Sequence, residues 1–272
     1  MVAFPNCKIN LGLHITQKRA DGYHNIETIF YPIAFNDILE IIPTNSPNNI
    51  DYTSSGLPIN GTSADNLCIK AYHLLKKDFP QIPSIQMHLH KNIPMGAGLG
   101  GGSADGSFAL KMLNQQFQLN LSDAQLIQYA LLLGSDCPFF ILNTACLGKG
   151  RGEILIPITL DLSAYKILII NPGIHINTGW AFSQIKPTQP ILPIEQIIQQ
   201  PIETWKEQLT NDFELPVCKQ YPEITTIINQ LYIANAVYAA LSGSGSTIFA
   251  LFNKLDSIQV NIPDHYYTKL VD

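Results

Sequence analysis

The sequence predicts an α+β protein of two units, and three observations lead to that prediction. Several short stretches alternate apolar and polar residues, as strands do, and other stretches have the spacing of amphipathic helices. The regular strand–helix repeat of a doubly wound sheet is absent from the pattern. A strand-like pattern also restarts near residue 155, which predicts domains at residues 1–155 and 156–272.

Composition argues against several classes of function. The chain has 272 residues, 46% hydrophobic and 14% charged, with a formal net charge of −5. A mildly acidic chain without a basic cluster argues against binding to nucleic acid or to a membrane surface. Five cysteines without a CxxC pair favour reduced thiols and a cytoplasmic location. The sequence starts without a signal-peptide pattern, and polar residues interrupt the uncharged stretch 227–252, so we expect no membrane span.

The first half of the chain contains the clearest strand patterns. In "KINLGLHI", residues 8–15, alternation predicts a half-buried strand whose polar face carries Lys8, Asn10, Gly12 and His14. A turn at "ADG", residues 20–22, precedes "IETIFYPIAFNDILEII", which predicts one or two strands. Residues 85–91 alternate again, and we interpret His88 and His90 on this strand as solvent-facing because no third metal ligand is spaced to join them.

Two helices are predicted after residue 100. The first shows helical spacing with Ser103 as its N-cap, and its apolar residues are Ala104, Phe108, Met112, Leu113 and Phe117. The second begins with a capping box, Ser122 and Gln125, and ends at Gly134. The apolar run "PFFIL", residues 138–142, then predicts a strand.

The second half begins with a predicted strand at "YKILIINPG", residues 165–173. The proline-rich residues 187–201 predict an irregular connection or short broken helices, and a helix is expected at 222–232. Residues 238–252 predict a strand, a loop and a strand. The loop sequence "LSGSGSTIFA" predicts either a second close-approach loop or a tight turn between strands.

The glycine-rich stretch "PMGAGLGGGSADG", residues 94–106, matches two known loops in part. Gly96, Gly98 and Gly101 spell G-x-G-x-x-G, but no strand runs directly into them, and the acid at the expected distance lies at a helix start. The Walker A spacing also fits, except that Gly102 stands where the lysine belongs. Unhindered N–H groups followed by a helix start still predict a phosphate site, with a flexible surface loop as the alternative. The positive charge that the Walker lysine would bring to the phosphates must then come from elsewhere in the chain or from a metal ion.

Two charged residues outside this stretch are candidates for that chemistry. Lys8 lies in the first strand, where a solvated edge residue is the ordinary interpretation. Asp136, in "GSDCPFFIL", has the ordinary alternative of a turn residue, but it enters an apolar segment where a carboxylate needs a partner. A nearby lysine would keep this aspartate ionised and able to take a proton from an attacking hydroxyl. Whether the two residues meet is open from the sequence.

The segment "DGYH", residues 21–24, predicts a hairpin turn. Tyr23 and His24 follow the turn directly, which also favours a loop that carries a stacking ring and a hydrogen-bonding imidazole. A turn without a binding role is the alternative.

In combination, these segments resemble a known family. "PMGAGLGGGSADG" is similar to the phosphate loop of the family that includes galactokinase, homoserine kinase, mevalonate kinase and phosphomevalonate kinase, which has no Walker lysine. Further segments resemble one branch of that family and extend the likeness over nearly the whole chain: "PNCKINLGLHI", "KRADGYHNIETIF", "LGSDCPFF", "INPGIHINTGWAF", "NDFE" (211–214) and "LSGSGSTIFA".

The resemblance implies a fold and an activity. The fold is a two-domain small-molecule kinase fold, with an N-terminal ribosomal-protein-S5-like domain, a C-terminal ferredoxin-like domain and the active site between them. The activity is phosphorylation of the 2-hydroxyl of 4-diphosphocytidyl-2-C-methyl-D-erythritol, in the non-mevalonate isoprenoid route, with ATP as co-substrate and Mg²⁺. Other expectations are a monomer or weak homodimer and no nucleic-acid or membrane partner. A kinase for another small alcohol and a non-catalytic nucleotide-binding homologue remain alternatives.

The resemblance also implies roles for individual residues. Asp136 matches the catalytic base, and Lys8 matches the lysine that orients and charges it. Tyr23 and Phe182 match the aromatic pair that sandwiches the cytosine, and His24 matches the residue that reads its edge. A substrate-side polar contact is expected at Asn10, and Asn66 resembles the adenine-side helix start. The ATP phosphate loop corresponds to Pro94, Met95, Gly96, Ala97, Gly98, Leu99, Gly100, Gly101, Gly102, Ser103 and Ala104.

Three positions depart from the family pattern. Cys7 stands where alanine is usual, Ala97 replaces a frequent glycine, and Gly106 weakens the helix start. None of these departures removes a charged or stacking group, so we expect an active enzyme.

Overall fold

The computed structural model describes residues 1–59 and 61–272. Its strands are β1 (Val2–Ala3), β2 (Asn6–Lys18), β3 (His24–Asn36), β4 (Ile38–Thr44), β5 (Ile50–Gly56), β6 (Ser84–Lys91), β7 (Cys146–Lys149), β8 (Ile154–Pro157), β9 (Tyr165–Asn171), β10 (Tyr238–Leu241), β11 (Ile248–Asn253) and β12 (Tyr267–Val271). Its α-helices are α1 (Leu67–Asp78), α2 (Gly101–Gln116), α3 (Asp123–Leu133), α4 (Cys137–Leu142), α5 (Thr178–Ser183), α6 (Ile194–Ile197), α7 (Trp205–Gln208), α8 (Glu214–Gln220) and α9 (Pro222–Ile233). Short 3-10 turns lie at Ser63–Asp65 and Ile202–Thr204.

The chain divides into two compact units, each discontinuous in sequence. Unit 1 comprises Met1–Cys7, Phe35–Met95 and Gly100–Thr144, and unit 2 comprises Lys8–Ala34, Gly96–Leu99 and Ala145–Asp272. The predicted domains at 1–155 and 156–272 stay a prediction, because these units follow the packing and not continuous segments.

Unit 1 is a sheet covered by helices on one face. The strand order is β1-β4-β6-β5, with β4 antiparallel and β5 parallel to β6. The alternation of β4 and β6 puts one apolar row against α1, α2 and α3, and this row contains Leu39, Ile41, Met87 and Leu89. His88 and His90, predicted to face solvent, are half-buried, and a ring nitrogen of each lies 2.9 Å from the Ser55 hydroxyl of β5.

Unit 2 contains two four-stranded sheets, ordered β2-β3-β7-β8 and β10-β11-β9-β12. In the second sheet β11 and β9 are central and antiparallel, and their inward residues pack with α8 and α9. The predicted strands at 165–173 and 238–252 and the predicted helix at 222–232 are confirmed by β9, β10, β11 and α9. Short helices interrupt the proline-rich connection, as one of the two predictions for it required.

Helix boundaries in unit 1 are partly as predicted. The capping box of α3 is present, with Gln125 N–H donating to the Ser122 hydroxyl, and the helix ends at Gly134. The prediction of Ser103 as the N-cap of α2 is wrong, because Gly100 holds that position in the left-handed conformation. Gly106, expected to weaken this helix, packs so closely on α1 that an added Cβ would lie 2.7 Å from Leu67 Cβ. Its lack of a side chain permits the contact between the two helices.

Two predictions about burial and element type are wrong. Residues 138–142 belong to helix α4, because an apolar run of this length is compatible with either element, and Pro138 is at a position that favours a helix start. The polar face of β2 is buried as well as its apolar face, with Lys8 3% exposed, Asn10 2% and His14 7%. Within the described part of the chain, no helix combines the length and apolar character needed to cross a membrane.

Candidate active site

The glycine stretch adopts a backbone that other residues rarely adopt. Gly96, Gly98 and Gly100 have φ angles of 63°, 78° and 69°, in the left-handed region. The chain then enters the 16-residue helix α2 at Gly101. The first N–H groups of a helix have no intrahelical acceptor, and the helix dipole adds about half a positive charge there. A Cβ on Gly102 would meet nothing within 4 Å, so the backbone at this turn borders open space.

On the helix side, in unit 1, a buried ionic cluster lies under the start of α2. Lys91 Nζ donates to Asp37 Oδ2 and, at 2.6 Å, to Asp105 Oδ2. All three residues are at most 3% exposed, and a Cβ on Gly101 would lie 3.2 Å from Lys91 Nζ. We call Lys91, Asp37 and Asp105 the buried triad. It connects the end of β6 with the first two turns of α2.

The buried triad also holds the backbone that leads into the glycine stretch. Asp37 Oδ1 accepts from the N–H groups of Asn92 at 2.6 Å and Ile93 at 2.9 Å. Burial alone would lower the pKa of Lys91, but the charges of Asp105 and Asp37 outweigh it and raise that pKa. Burial raises the pKa of the Asp105 carboxyl, against the lowering effect of Lys91.

The sequence interpretation missed the buried triad, although one signal for Lys91 was present. Lys91 continues the inward register of β6, two residues after Leu89 and four after Met87. A lysine on the apolar side of an alternating strand requires a buried carboxylate, and the sequence did not identify which one.

On the other side, in unit 2, Lys8 is attached to the residues Gly96–Leu99. Its Nζ donates to Asn10 Oδ1 at 2.6 Å and to the Gly98 carbonyl at 3.1 Å, and its N–H donates to the Leu99 carbonyl at 3.0 Å. The same Nζ lies 5.4 Å from the ring centroid of Phe30. Lys8 therefore places a buried positive charge at the glycine stretch. The sequence predicted that such a charge must come from a distant segment, because the stretch has no lysine of its own.

The turn between β10 and β11 packs on the same residues. The Ser242 hydroxyl donates to the Gly98 carbonyl at 2.9 Å and accepts from Asn10 N–H at 3.3 Å. Thr247 N–H donates to the Ala97 carbonyl at 3.3 Å. A Cβ on Gly98 would lie 2.0 Å from the Ser242 carbonyl oxygen, so only glycine fits at this contact. Residues 241–250 are thus both a strand-to-strand turn and a close-approach loop.

The "NDFE" segment holds this turn in place through two side chains that sequence reasoning did not single out. Asn211 Nδ2 donates to the carbonyls of Leu241 at 2.9 Å and Gly243 at 2.8 Å. Glu214 Oε1 accepts from Leu241 N–H at 2.7 Å. Burial raises the pKa of the Glu214 carboxyl to about 7, partly offset by that N–H.

Asp136 lies in unit 1, at the start of α4. It is half-buried, and its φ and ψ of −83° and −15° place it directly before the first helical residue. The Ser107 hydroxyl lies 2.8 Å from the carbonyl oxygens of both Ser103 and Cys137. This contact links α4 to α2 and fixes Asp136 relative to the N-terminal turn of α2. Burial raises the pKa of the adjacent Cys137 thiol to about 11.

An aromatic cluster in unit 2 contains two of the predicted substrate residues, His24 and Phe182. The rings of His24 and Phe182 are stacked, with centroids 4.9 Å apart and planes 14° apart. Phe213 packs edge-on against Phe182 at 4.9 Å. Burial, and next the charge of Lys18, lower the pKa of His24 and so favour its neutral imidazole. Tyr23 is 53% exposed, and the guanidinium of Arg151 lies over its ring.

Comparison with known proteins identifies the family. Models described as "GHMP kinases N terminal domain" and "GHMP kinases C terminal" match residues 66–144 and 194–268. A 4-diphosphocytidyl-2-C-methyl-D-erythritol kinase of Bacteroides fragilis is 49% identical over 259 residues, which cover 95% of this chain and 94% of that protein. The chain belongs to the GHMP kinase family. A kinase of the same name from Cytophaga hutchinsonii is 51% identical over 254 residues, 93% of each chain.

A solved structure extends the comparison to the fold of this GHMP kinase. The crystal structure of a 4-(cytidine 5'-diphospho)-2C-methyl-D-erythritol kinase superposes with a TM-score of 0.81 at 29% identity and covers 92% of this chain and 90% of that one. The predictions of a two-domain α+β kinase fold and of a small-molecule kinase are confirmed.

Two predicted binding residues of this GHMP kinase use their polar atoms within the protein. Asn10 accepts from Lys8 and donates from Nδ2 to the Thr28 hydroxyl at 3.0 Å. Asn66 is the N-cap of α1, accepts from Cys68 N–H at 2.9 Å and donates to the Tyr52 hydroxyl at 2.9 Å. Their contacts with substrate and adenine stay predictions.

Proposed function

We propose that this GHMP kinase transfers the γ-phosphoryl group of ATP to the 2-hydroxyl of 4-diphosphocytidyl-2-C-methyl-D-erythritol, in the non-mevalonate isoprenoid route. Relatives with that kinase name share 49% and 51% of their residues with it over nearly their whole length. The observation that carries the assignment of substrate is the aromatic cluster. The rings of His24 and Phe182 are stacked, and Tyr23, the residue before His24, has an exposed ring; these residues belong to the segments that resemble a cytosine site.

The glycine stretch supports ATP as the phosphoryl donor. Left-handed glycines leave backbone N–H groups unhindered, and open space borders Gly102 at the first turn of α2. Residues Pro94–Ala104 would hold the phosphates through these N–H groups and the helix dipole. Among residues 1–59 and 61–272, no three His, Cys, Asp or Glu side chains come together as a metal site. Mg²⁺ usually keeps several waters and binds largely through substrate phosphates, and when bound it would offset phosphate charge.

Asp136 is proposed as the general base and Lys8 as a cation of the active site. The substrate 2-hydroxyl oxygen forms a bond to the γ-phosphorus as the bond to the β-phosphate oxygen breaks, and Asp136 takes the hydroxyl proton. Attachment of α4 to α2 through Ser107 supports this role, because it fixes the carboxylate relative to the helix start that would hold the phosphates. Positioning and electrostatics would supply most of the acceleration.

An ADP-release assay with the cytidylyl substrate and Mg²⁺-ATP tests the proposal. We expect turnover, and homoserine and mevalonate should react far more slowly. Asp136→Asn should lower kcat by about 10²–10⁴-fold while nucleotide binding persists. The exposed Asp161→Asn is the matched control and should leave kcat unchanged. No turnover of the cytidylyl substrate, or equal turnover of an alcohol without cytidine, would refute the assignment.

A further inference from the structure

The backbone of Tyr23 is held on both sides, although its ring is exposed. Its N–H donates to Asp21 Oδ1 at 3.1 Å, and its carbonyl accepts from Arg19 N–H at 2.8 Å. Arg19 Nε in turn donates to both oxygens of Asp21, at 3.2 and 3.0 Å. An exposed aromatic ring on a turn normally samples several orientations, and these bonds reduce that freedom at the Cα.

The ring itself is held by Arg151, which lies on a different hairpin. Arg151 Cζ lies over the ring at 4.9 Å from its centroid, within the range of a cation–π interaction. Because the guanidinium is planar, it can cover one face of the ring while the opposite face stays available. The ring of Tyr23 is 53% exposed and has one face covered, so a second planar ring can stack on the other face.

The turn that carries Arg151 is itself well fixed. Gly150 and Gly152 have φ angles of 68° and 106°, and the Gly150 carbonyl accepts from Ile26 N–H at 2.7 Å, which attaches the turn to β3. Glu153 accepts from both Arg151 N–H and Arg151 Nε, the latter at 3.4 Å. The guanidinium is therefore oriented by a carboxylate at one edge and by the Tyr23 ring on its face.

Both arginines of the sequence belong to this arrangement. Arg19 and Arg151 alternate with Asp21 and Glu153 around Tyr23, and each carboxylate is paired with the arginine of its own turn. Arg19 chiefly, next the N–H of Tyr23, and Arg151 least, lower the pKa of Asp21. The two guanidinium groups of the sequence, those of Arg19 and Arg151, therefore both lie near Tyr23, the residue that resembles a base-stacking residue of the family.

We propose that Arg151 is a positioning residue for the substrate: its guanidinium holds the ring of Tyr23 so that the opposite face stacks on the pyrimidine base of the cytidine diphosphate-linked alcohol. This inference rests on the proposed function for the identity of the substrate. Arg151 acts through Tyr23, and no direct contact with the substrate phosphates is part of the proposal.

Steady-state kinetics of Arg151→Met test it. This change keeps the aliphatic stem and removes the planar cation. KM for the cytidylyl substrate should rise roughly tenfold, the loss of one cation–π interaction, while kcat and KM for ATP stay within about twofold. Arg151→Lys should be intermediate, because an ammonium group lacks the plane that covers the ring. Lys149→Met is the control, since it removes a half-exposed cation from the same hairpin whose partners are Glu27 and Glu195.

A double-mutant cycle with Tyr23→Leu separates positioning from direct contact. If Arg151 acts through the ring, Arg151→Met has no further effect on KM once the ring is absent. An undiminished tenfold effect in the Tyr23→Leu background would show direct contact with the substrate and overturn the proposal. An unchanged KM in Arg151→Met would overturn it as well, and circular dichroism melting would show that each variant is folded.

A binding measurement distinguishes failure of this inference from failure of the proposed function. Calorimetry with cytidine diphosphate, in the presence of a saturating non-hydrolysable ATP analogue, measures the base site without catalysis. Arg151→Met should weaken this binding roughly tenfold and Lys149→Met should not. Wild-type protein that binds cytidine diphosphate without turnover would refute the proposed activity alone. Equal binding by wild type and Arg151→Met would refute the role of Arg151 alone.

Discussion

The two flanks of the glycine stretch are held by different kinds of interaction. The helix flank, in unit 1, depends on the buried triad of one lysine and two aspartates. The hairpin flank, in unit 2, depends mainly on hydrogen bonds to backbone carbonyls, made by Ser242, Thr247 N–H and Asn211. Lys8 adds a cation to the hairpin flank, and the Gly98 carbonyl is among its acceptors.

The difference concerns how each flank responds to the loss of one partner. A buried ion cluster is stable only when complete, because removal of one charge leaves the others desolvated and unpaired. A neutral hydrogen bond contributes about 1 kcal/mol, so several of them share the stabilisation. We therefore expect the loss of one charged side chain to destabilise the whole helix flank. The hairpin flank should tolerate the loss of one hydrogen bond but not a change of backbone conformation.

The largest effect is expected for Lys91→Met. Two buried carboxylates would lose their cation, and the free energy of unfolding should fall by about 3–5 kcal/mol in urea denaturation. Lys70→Met, which removes a half-exposed lysine 4.0 Å from Asp65, should change it by less than ~1 kcal/mol. Replacing all three members with neutral residues (Asp37→Asn, Lys91→Met and Asp105→Asn) should recover part of the loss. Similar values for Lys91→Met and Lys70→Met would contradict the distinction between the flanks.

Glu214 makes the hairpin flank dependent on pH. Burial raises its pKa in the folded protein to about 7, above the ordinary value of 4.5, so the folded state keeps a proton that the unfolded state releases. Its contribution to stability is complete below pH 4.5 and is lost as the pH rises through 7, a change of about 3 kcal/mol. Glu214→Gln should remove this part of the pH dependence of unfolding between pH 4.5 and 8. A pH profile that is the same in both proteins would show that Glu214 does not titrate in this range.

A pair of glycine substitutions compares a left-handed position with an open one. Gly98→Ala combines a φ of 78° with a Cβ 2.0 Å from the Ser242 carbonyl oxygen, and should cost about 2 kcal/mol together with most of the kinase activity. Gly102→Ala meets nothing within 4 Å and should leave the free energy of unfolding unchanged or slightly higher. Thermal unfolding of both variants measures the difference. Equal stability would mean that the hairpin flank adapts to a side chain at Gly98.

Local sequence patterns predicted much of the fold. Alternation identified β2 and β6, an apolar run identified β9, the capping box identified the start of α3, and the glycine stretch identified the entry to α2. Two local predictions were wrong for a shared reason, since "PFFIL" and the position of Ser103 depend on context that a short window does not contain. The similarity to a kinase family rested on several segments in order, and it was confirmed by relatives that cover nearly the whole chain.

The sequence by itself determined the elements whose signals lie within a few residues: the alternating strands β2 and β6, the capping box of α3 and the glycine backbone of "PMGAGLGGGSADG". Only the tertiary structure decided which charges are buried. Asp37 lies between β3 and β4, Lys91 ends β6 and Asp105 lies in α2, and Lys8 lies 90 residues before the carbonyl of Gly98 that accepts its hydrogen bond. Such pairings have no local signature, because they arise when strands and helices pack and remove water from groups that then require partners. The glycines of the sequence predicted where the backbone carries no side chains. Tertiary packing placed Lys8, the buried triad and the turn between β10 and β11 against that backbone.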